Sequence, residues 1–322
     1  MKPKTIAVLT SGGDAPGMNA AIRSVVRTAL YRGLEVKGIL NGYNGLFNKE
    51  IIDMGARSVS DIIQKGGTVL GTARSKKFAT PEGVKEAAQN CREMGIDGIV
   101  VIGGDGSFRG ARDLSLEGIP CIGIPATIDN DISSTEYTIG FDTAMNTACE
   151  MADRLRDTSQ SHCRCSIIEV MGRHAGHLAL EVGTAVGATA ILVPEVPYDL
   201  KTQVVDHILR AKQNGKMHYL IVVAESICDA HEMAKQVQEM TGVDTRATVL
   251  GHVQRGGRPT VRDRVTATRM GFAAVELLKE GIGNRVVALK NGEIVDYDIY
   301  EALNMTKSVN TNDLQIAHRI SI

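Results

Sequence analysis

Two carboxylates and an amide stand in a row at Asp129, Asn130 and Asp131, directly after Pro125-Ala126-Thr127-Ile128. Neighbouring anions repel, so such a cluster serves to bind a cation, to take a proton or to cap a helix. A further acid, Asp105, lies inside Gly103-Gly104-Asp105-Gly106-Ser107. Gly-rich turns that open a helix let backbone N–H groups approach a phosphate, and the helix N-terminus adds positive potential. Gly12-Gly13 and Gly103-Gly104 both fit that description, although neither carries the Gly-Lys-Ser/Thr of a P-loop or a full G-x-G-x-x-G. A carboxylate beside a triphosphate is repelled unless a divalent cation lies between them, so Asp105 points to magnesium. Its plainer use would be a helix cap.

Phosphoryl transfer needs an anchored donor with its metal, a base for the acceptor hydroxyl and positive charge on the moving group. Asp105 and the two glycine turns supply the first, Asp129 is the natural base, and Asp131 is near enough in sequence to assist the metal. Arg74 and Arg173 are candidates for the positive charge. Guanidinium groups fork onto phosphate oxygens, so Arg164, Arg246, His252 and Arg255 would make the acceptor itself an anion if they gather around it. Taken singly, each basic residue reads as a solvated side chain. Their recurrence at or near strand ends argues for a shared role.

The elements that must position these groups alternate along the chain. Apolar runs at 5–9, 35–40, 99–102, 121–124, 166–170, 190–193, 219–223, 248–250 and 285–289 read as strands. Helix-period stretches lie between them, for example at 19–31, 82–94, 142–154, 202–213, 230–241 and 265–280. Such alternation predicts an α/β protein with largely parallel sheets and helices on both faces. Pro125 cannot donate to a ladder and biases Ile124 to extended backbone, so the strand at 121–124 should stop there. Ligands in such folds bind beyond the carboxyl ends of the strands, and glycine, acid and arginine concentrate in the segments that follow them.

A chain of 322 residues is long enough for about two domains. Hydrophobic content of 43% with 23% charged residues is that of a globular protein in water. A net charge of -1 provides no field to recruit nucleic acid or a membrane surface, so an anionic ligand needs local arginines. Aromatics total 4% and Trp is absent, which removes the usual stacking platform for single strands. No apolar run approaches the ~18 residues of a membrane span, and the N-terminal apolar run is too short for a secretion signal. Six scattered cysteines without a C-x-x-C pair fit a reducing cytoplasm rather than a disulfide framework or a zinc site.

Ser11-Gly12-Gly13-Asp14-Ala15-Pro16-Gly17-Met18-Asn19, Gly103-Gly104-Asp105-Gly106-Ser107, Thr127-Ile128-Asp129-Asn130-Asp131, Glu169-Val170-Met171-Gly172-Arg173 and Gly251-His252-Val253-Gln254-Arg255-Gly256-Gly257 together resemble the bacterial ATP-dependent 6-phosphofructokinases. The likeness spans nearly the whole chain. It implies two Rossmann-like three-layer domains: an ATP-binding one at 1–138 plus 251–305, and a sugar-phosphate-binding one at 139–250 plus 306–322. It implies ATP on Gly13, Arg74, Ser75 and Gly104 to Ser107, with magnesium at Asp105 and Asp131. Asp129, with Thr127 alongside, would deprotonate the 1-hydroxyl of fructose 6-phosphate, while Arg74 and Arg173 steady the moving phosphoryl group. The sugar would meet Thr127, Ile128, Met171, Gly172, Arg173 and Glu225. Its 6-phosphate would be held by His252 and Arg255 of one subunit and by Arg164 and Arg246 of a neighbour in a homotetramer.

Gly106 resembles the ATP users, since pyrophosphate-dependent relatives place aspartate there; the pyrophosphate-dependent form of the reaction is the alternative reading. Ala126 matches neither the glycine of ATP users nor the lysine of pyrophosphate users. Its Cβ disfavours any positive φ that glycine would allow, so some loss of nucleotide fit is expected. At the family's effector site Arg23, Arg27, Asp61, Arg156 and Lys216 match. Thr189 replaces a metal-binding glutamate, and Asn214 and Met217 replace basic residues, which predicts weak or absent regulation by ADP and phosphoenolpyruvate. Cys163 and Cys165 flank Arg164, and in an extended segment both would point away from it; ordinary packing is the expected role.

Overall fold

The computed structural model describes residues 3–321. In chain order the elements begin β1 (Thr5–Ser11), α1 (Met18–Tyr31), β2 (Glu35–Ile39), α2 (Asn44–Asn48), β3 (Ile51–Asp53), α3 (Pro81–Glu93) and β4 (Gly98–Gly103). There follow α4 (Asp105–Leu116), β5 (Cys121–Pro125), α5 (Phe141–His162), β6 (Cys165–Val170), α6 (His177–Ala185), β7 (Ala190–Leu192) and α7 (Asp206–Gln213). The chain ends through β8 (Tyr219–Ala224), α8 (Ala230–Thr241), β9 (Thr245–Val249), α9 (Val261–Lys279), β10 (Arg285–Lys290), β11 (Glu293–Asp298), α10 (Ile299–Asn304) and α11 (Thr311–Ile320).

One sheet has the order β11-β10-β5-β4-β1-β2-β3 and the other β7-β8-β6-β9. Every pairing is parallel except the two edge pairs of the first sheet, β2 with β3 and β10 with β11. The parallel α/β expectation therefore holds. Its cause is visible in β1, β4, β5 and β8, where every residue is buried: strands covered on both faces need apolar side chains throughout. Two strands lie outside the expected set. Short β3 is an exposed edge, and β11 carries three acids among six residues. The hairpin joining β10 to β11 has Asn291 and Gly292 at φ 51° and 80°, the left-handed pair that a two-residue type I′ turn requires. β9 starts at Thr245 rather than 248, and the stretch at 202–213 opens with a π-helical turn, Lys201–Val205.

Two compact units result. The first comprises residues up to Thr127, Ile132–Thr143 and Arg255–Lys307; the second comprises Ile128–Asp131, Ala144–Gln254 and the residues from Ser308 onward. In the first, one side of the seven-stranded sheet packs on Phe108, Leu46, Tyr43 and Phe78, the last two stacked at 4.0 Å. Tyr43 donates its hydroxyl to the Ser107 carbonyl at 2.6 Å, so the aromatic stack is tied to α4. In the second unit Ile167, Ile221, Val223, Met233 and Val237 form the core over one face of the four-stranded sheet. There α11 is pinned by His318, whose Nε2 accepts the Ile191 N–H at 3.2 Å, and whose protonation burial disfavours. No helix among the described residues is long and apolar enough to cross a membrane.

Gly123 of β5 has no room for a side chain, since a Cβ there would lie 2.7 Å from the Phe108 ring. Both residues are in the core, so Gly123→Ala is expected to cost about 1–3 kcal/mol by overpacking, read as a lower urea midpoint at unchanged slope.

Candidate active site

The adjacent strands β1 and β4 end together, with Ser11 opposite Gly103. A Cβ at Gly103 would fall 2.4 Å from the Ser11 carbonyl oxygen and 2.5 Å from Ser107 Oγ, so only glycine permits this approach. Ser107 Oγ donates to the Ser11 carbonyl at 3.1 Å and Thr72 Oγ1 to that of Gly12 at 2.7 Å, fixing the loop after β1 from two sides. Gly12 is left-handed, at φ 89°. Gly104 is the N-cap of α4 and Asp105 its first residue, so Asp105 is not the cap; its Oδ2 instead receives Arg109 Nε at 2.9 Å, one turn along. A Cβ at Gly106 would meet open space. Arg74 is exposed, and Ser75 Oγ accepts the Phe78 N–H at 3.2 Å.

The end of β5 is built against the same turn. Gly103 pairs with Pro125, and the Ala126 N–H donates to the Gly103 carbonyl at 2.9 Å. Ala126 bridges Ile139, whose N–H donates to Pro125 O at 3.0 Å, and Thr138 Oγ1 donates to Thr127 O at 2.6 Å. A Cβ on Gly104 would stand 4.0 Å from Thr127 Cβ, so the two loops run close together beside the Ala126–Gly103 bond. Ala126 is not among the left-handed residues. Its Cβ therefore meets no left-handed backbone penalty, because Ala126 continues the pairing one residue past β5. Ile128, Asp129 and Asn130 are buried, Asp131 partly so, and Asn130 turns the chain at φ 50°.

In the second unit β6 lies between β8 and β9, and the three parallel strands deliver their carboxyl ends to one edge. Met171, Gly172 and Arg173 follow β6, Glu225 follows β8, and His252 sits exposed in the 3-10 turn Gly251–Arg255 beyond β9. Arg173 is held at φ 61°, an uncommon conformation for a side chain of this size. Glu225 stabilises it by accepting the Arg173 N–H on Oε1 at 2.7 Å. Burial first, and then the charges of Glu225 and Asp229, push the Glu169 carboxyl above its ordinary range. Gln254, fully buried, accepts the Met171 N–H at 3.4 Å and donates to Gly251 O at 3.0 Å, joining the loops after β6 and β9. That role was hidden inside a motif read for its charged members.

Arg164 and Arg246 lie at the other edge of this sheet. Arg164 precedes β6, and Arg246 pairs with Ser166. Asp244 clasps both, receiving Arg164 Nε at 2.5 Å and Arg246 Nε at 3.2 Å, and these guanidiniums hold its carboxyl below the usual range. At about 3.3 Å per residue, Arg164 and Met171 are roughly 20 Å apart along the strand. Within one chain Arg164 and Arg246 thus stand apart from His252, at amino rather than carboxyl strand ends. Arg255, in the first unit, lies on the loop after β1. Its Nη1 donates to Asp14 O at 3.3 Å and is 2.5 Å from where a Gly13 Cβ would be.

The model of the family described as Phosphofructokinase matches residues 5–278. The chain belongs to the phosphofructokinase family. It is 55% identical over 318 residues to the ATP-dependent 6-phosphofructokinase of Clostridium botulinum and 56% identical over 318 residues to that of Clostridium acetobutylicum, covering 99% of each chain. Among solved structures, the phosphofructokinase of Saccharomyces cerevisiae superposes with a TM-score of 0.87 at 36% identity over 99% of this chain. The chain spans 48% of the yeast chain.

The residues matched to the family's effector site fall in two groups. In the first unit Arg23 and Arg27 stand one turn apart on α1 beside a cleft of about 510 Å³ that also includes Arg269, and burial and the Arg27 charge depress the Arg23 pKa. Asp61 is exposed at φ 56°. In the second unit Arg156 donates to the Val186 carbonyl, and Lys216 Nζ donates to Ser321 O at 3.1 Å. Thr189 is buried, with Oγ1 accepting the Leu220 N–H at 3.4 Å. Asn214 caps the end of α7, and Met217 is exposed. Cys163 is exposed at φ 52° whereas Cys165 is buried, so the segment is not uniformly extended and the two thiols do not share a face.

Burial pushes the Cys91 and Cys165 thiols up to about 12. In native protein at pH 8, alkylation mapped by mass spectrometry is expected at Cys163 long before Cys91, Cys121 or Cys165. Gly13→Ala must displace the flexible Arg255 guanidinium rather than backbone; it is expected to raise the KM for the sugar phosphate roughly tenfold with little change in Tm. An unchanged KM would show that the position of Arg255 over Gly13 is immaterial.

Proposed function

We propose that the chain transfers the γ-phosphoryl group of ATP to the 1-hydroxyl of fructose 6-phosphate, giving fructose 1,6-bisphosphate and ADP. The observation that carries this reading is the pairing of β4 with β5 end to end, which brings a glycine-capped helix N-terminus bearing Asp105 against Thr127, two residues before Asp129. The first would be a phosphate cradle with a metal carboxylate, and the second leads directly to the acceptor base, Asp129. The 55% identity to ATP-dependent enzymes supports ATP as the donor, and glycine rather than aspartate at 106 favours it over pyrophosphate.

In this reading the N–H groups of Gly13 and of Gly104 to Ser107 hold the donor's phosphates, with Arg74 and Ser75 beside them. Asp129 takes the hydroxyl proton and Thr127 orients it, while Arg74 and Arg173 balance charge on the transferring group. Among the described residues no three acids, histidines or cysteines form a metal cluster. Magnesium fits nonetheless, since it commonly takes only one or two carboxylates and completes its shell with phosphate and water. Asp105, partly exposed, would hold it with Asp131, and the ion would neutralise the donor's phosphate oxygens. Met171, Gly172 and Glu225 would contact the sugar, with His252 and Arg255 on its 6-phosphate. The separation of Arg164 and Arg246 from His252 along the sheet supports their serving the phosphate of a neighbouring copy, as in a homotetramer. The six free cysteines fit a cytoplasmic enzyme.

Steady-state assays with ATP and with pyrophosphate test the reading. Activity with ATP alone is expected, and Asp129→Asn should lower kcat at least ~100-fold; turnover with pyrophosphate alone would contradict it. The effector residues support weak regulation, because Thr189 is buried and the Lys216 and Arg156 donors already serve carbonyl groups. ADP at about 1 mM is expected to change the fructose 6-phosphate KM by less than ~2-fold, and micromolar activation would refute this.

A further inference from the structure

Among the described residues the buried carboxylates are Asp129 and Asp263. The mechanism uses the first and leaves the second without a task. Asp263 lies in the first turn of α9, fully buried, with its own N–H given to the N-cap hydroxyl of Thr260 at 3.3 Å. Its Oδ1 accepts the Gly140 N–H at 2.8 Å and the Tyr137 hydroxyl at 3.3 Å. Its Oδ2 accepts the Thr143 N–H at 2.9 Å and the Thr143 hydroxyl. Gly140 and Thr143 supply N–H groups at the start of α5, which an α-helix leaves without internal acceptors. Asp263 thus caps a helix that begins 122 residues earlier in the chain. Arg262 lies over the Tyr137 ring at 4.0 Å, closing the same contact from outside. Burial raises the Asp263 pKa while the Thr143 and Gly140 donors oppose that shift, so the carboxylate is kept at a cost.

The segment held in this way holds something else in turn. Thr138 donates to Thr127 O at 2.6 Å, Ile139 donates to Pro125 O at 3.0 Å, and Ala126 pairs with Ile139. The chain from Thr127 to Gly140 contains no helix or ladder strand of its own, so its conformation depends on such ties. One face of 137–143 is anchored on Asp263; the other anchors the last residues of β5.

We infer that Asp263 is a positioning residue for phosphoryl transfer, fixing the 137–143 segment and through it the end of β5 that leads to Thr127 and Asp129. The inference rests on the reading of Asp129 as the base. An asparagine at 263 keeps the shape but turns one acceptor into a donor facing N–H groups, so it should loosen the segment without emptying the core.

The test is Asp263→Asn in the full chain, with hydrogen exchange followed by mass spectrometry beside kinetics. Exchange in peptides covering 126–131 and 137–143 should quicken about tenfold. The value of kcat should fall roughly 30-fold, with the KM for ATP and for the sugar phosphate within ~3-fold of wild type. Leu278→Ala, in the buried C-terminal end of α9, controls for lost stability and should retain kcat. If Asp263→Asn does not fold, Thr138→Val removes only the hydroxyl on Thr127 and should show the same split. Unchanged exchange in both peptides overturns the inference whatever Asp129→Asn does. So does quicker exchange with kcat kept within ~2-fold, or an equal kcat loss in Leu278→Ala. Full activity in Asp129→Asn would instead remove the base reading, and loosening with loss of kcat in Asp263→Asn would still support the tether.

Discussion

The hydrogen bond from the Ala126 N–H to the Gly103 carbonyl, 2.9 Å long, carries the parallel ladder one residue past Pro125. Proline can occupy the end of a strand because its missing donor falls where the ladder is closing. That bond makes β4 and β5 finish level, with Pro125 opposite Gly103, so that the turns after the two strands start side by side. Lengthening or shifting either strand by one residue would turn the following side chain to the other face of the sheet. The glycines around this point are needed for contact: Gly103 lies on Ser11 and Ser107, and Gly123 lies on the Phe108 ring. Arrangement of the chemistry thus follows from strand register and from side chains that are absent.

Beyond the ladder, conformations are held by polar side chains that reach across long sequence separations. Glu225 keeps Arg173 in a left-handed conformation, Gln254 joins the turns after β6 and β9, and Asp244 gathers Arg164 and Arg246. Each does for a loop what a ladder does for a strand, satisfying donors that would otherwise be unpaired. Residues held in sparsely populated backbone regions persist only where their surroundings over-determine them, and Arg173 with its Glu225 bond fits that description.

Strands buried on both faces were legible in the sequence because their apolar runs admit few other readings. The edges were not. β11 carries acids, and its best signal was the Asn291-Gly292 turn rather than its own residues; β9 was read three residues late because Thr245, Arg246 and Ala247 are polar or small. Glycines and acids following β1, β4 and β5 could be placed at carboxyl ends from the strand assignments alone. Arg164 and Arg246 were grouped with them although one precedes its strand and the other falls near the start of β9, a distinction of chain direction that residue type does not express. Asp244, Gln254 and Asp263 act on partners remote in sequence or through atoms that a motif does not mark, so no local pattern announces them.

A sheet with arginines at one edge, and at the other the loops proposed to meet the sugar, supports the proposal that two copies of the chain complete each acceptor-phosphate site. Mixing and reassembling the inactive variants Arg246→Ala and His252→Ala tests it most directly. If each site draws one residue from each of two copies, random reassembly should restore about a quarter of wild-type activity. No recovery in a properly assembled mixture, or full activity in an isolated single chain, would contradict the account.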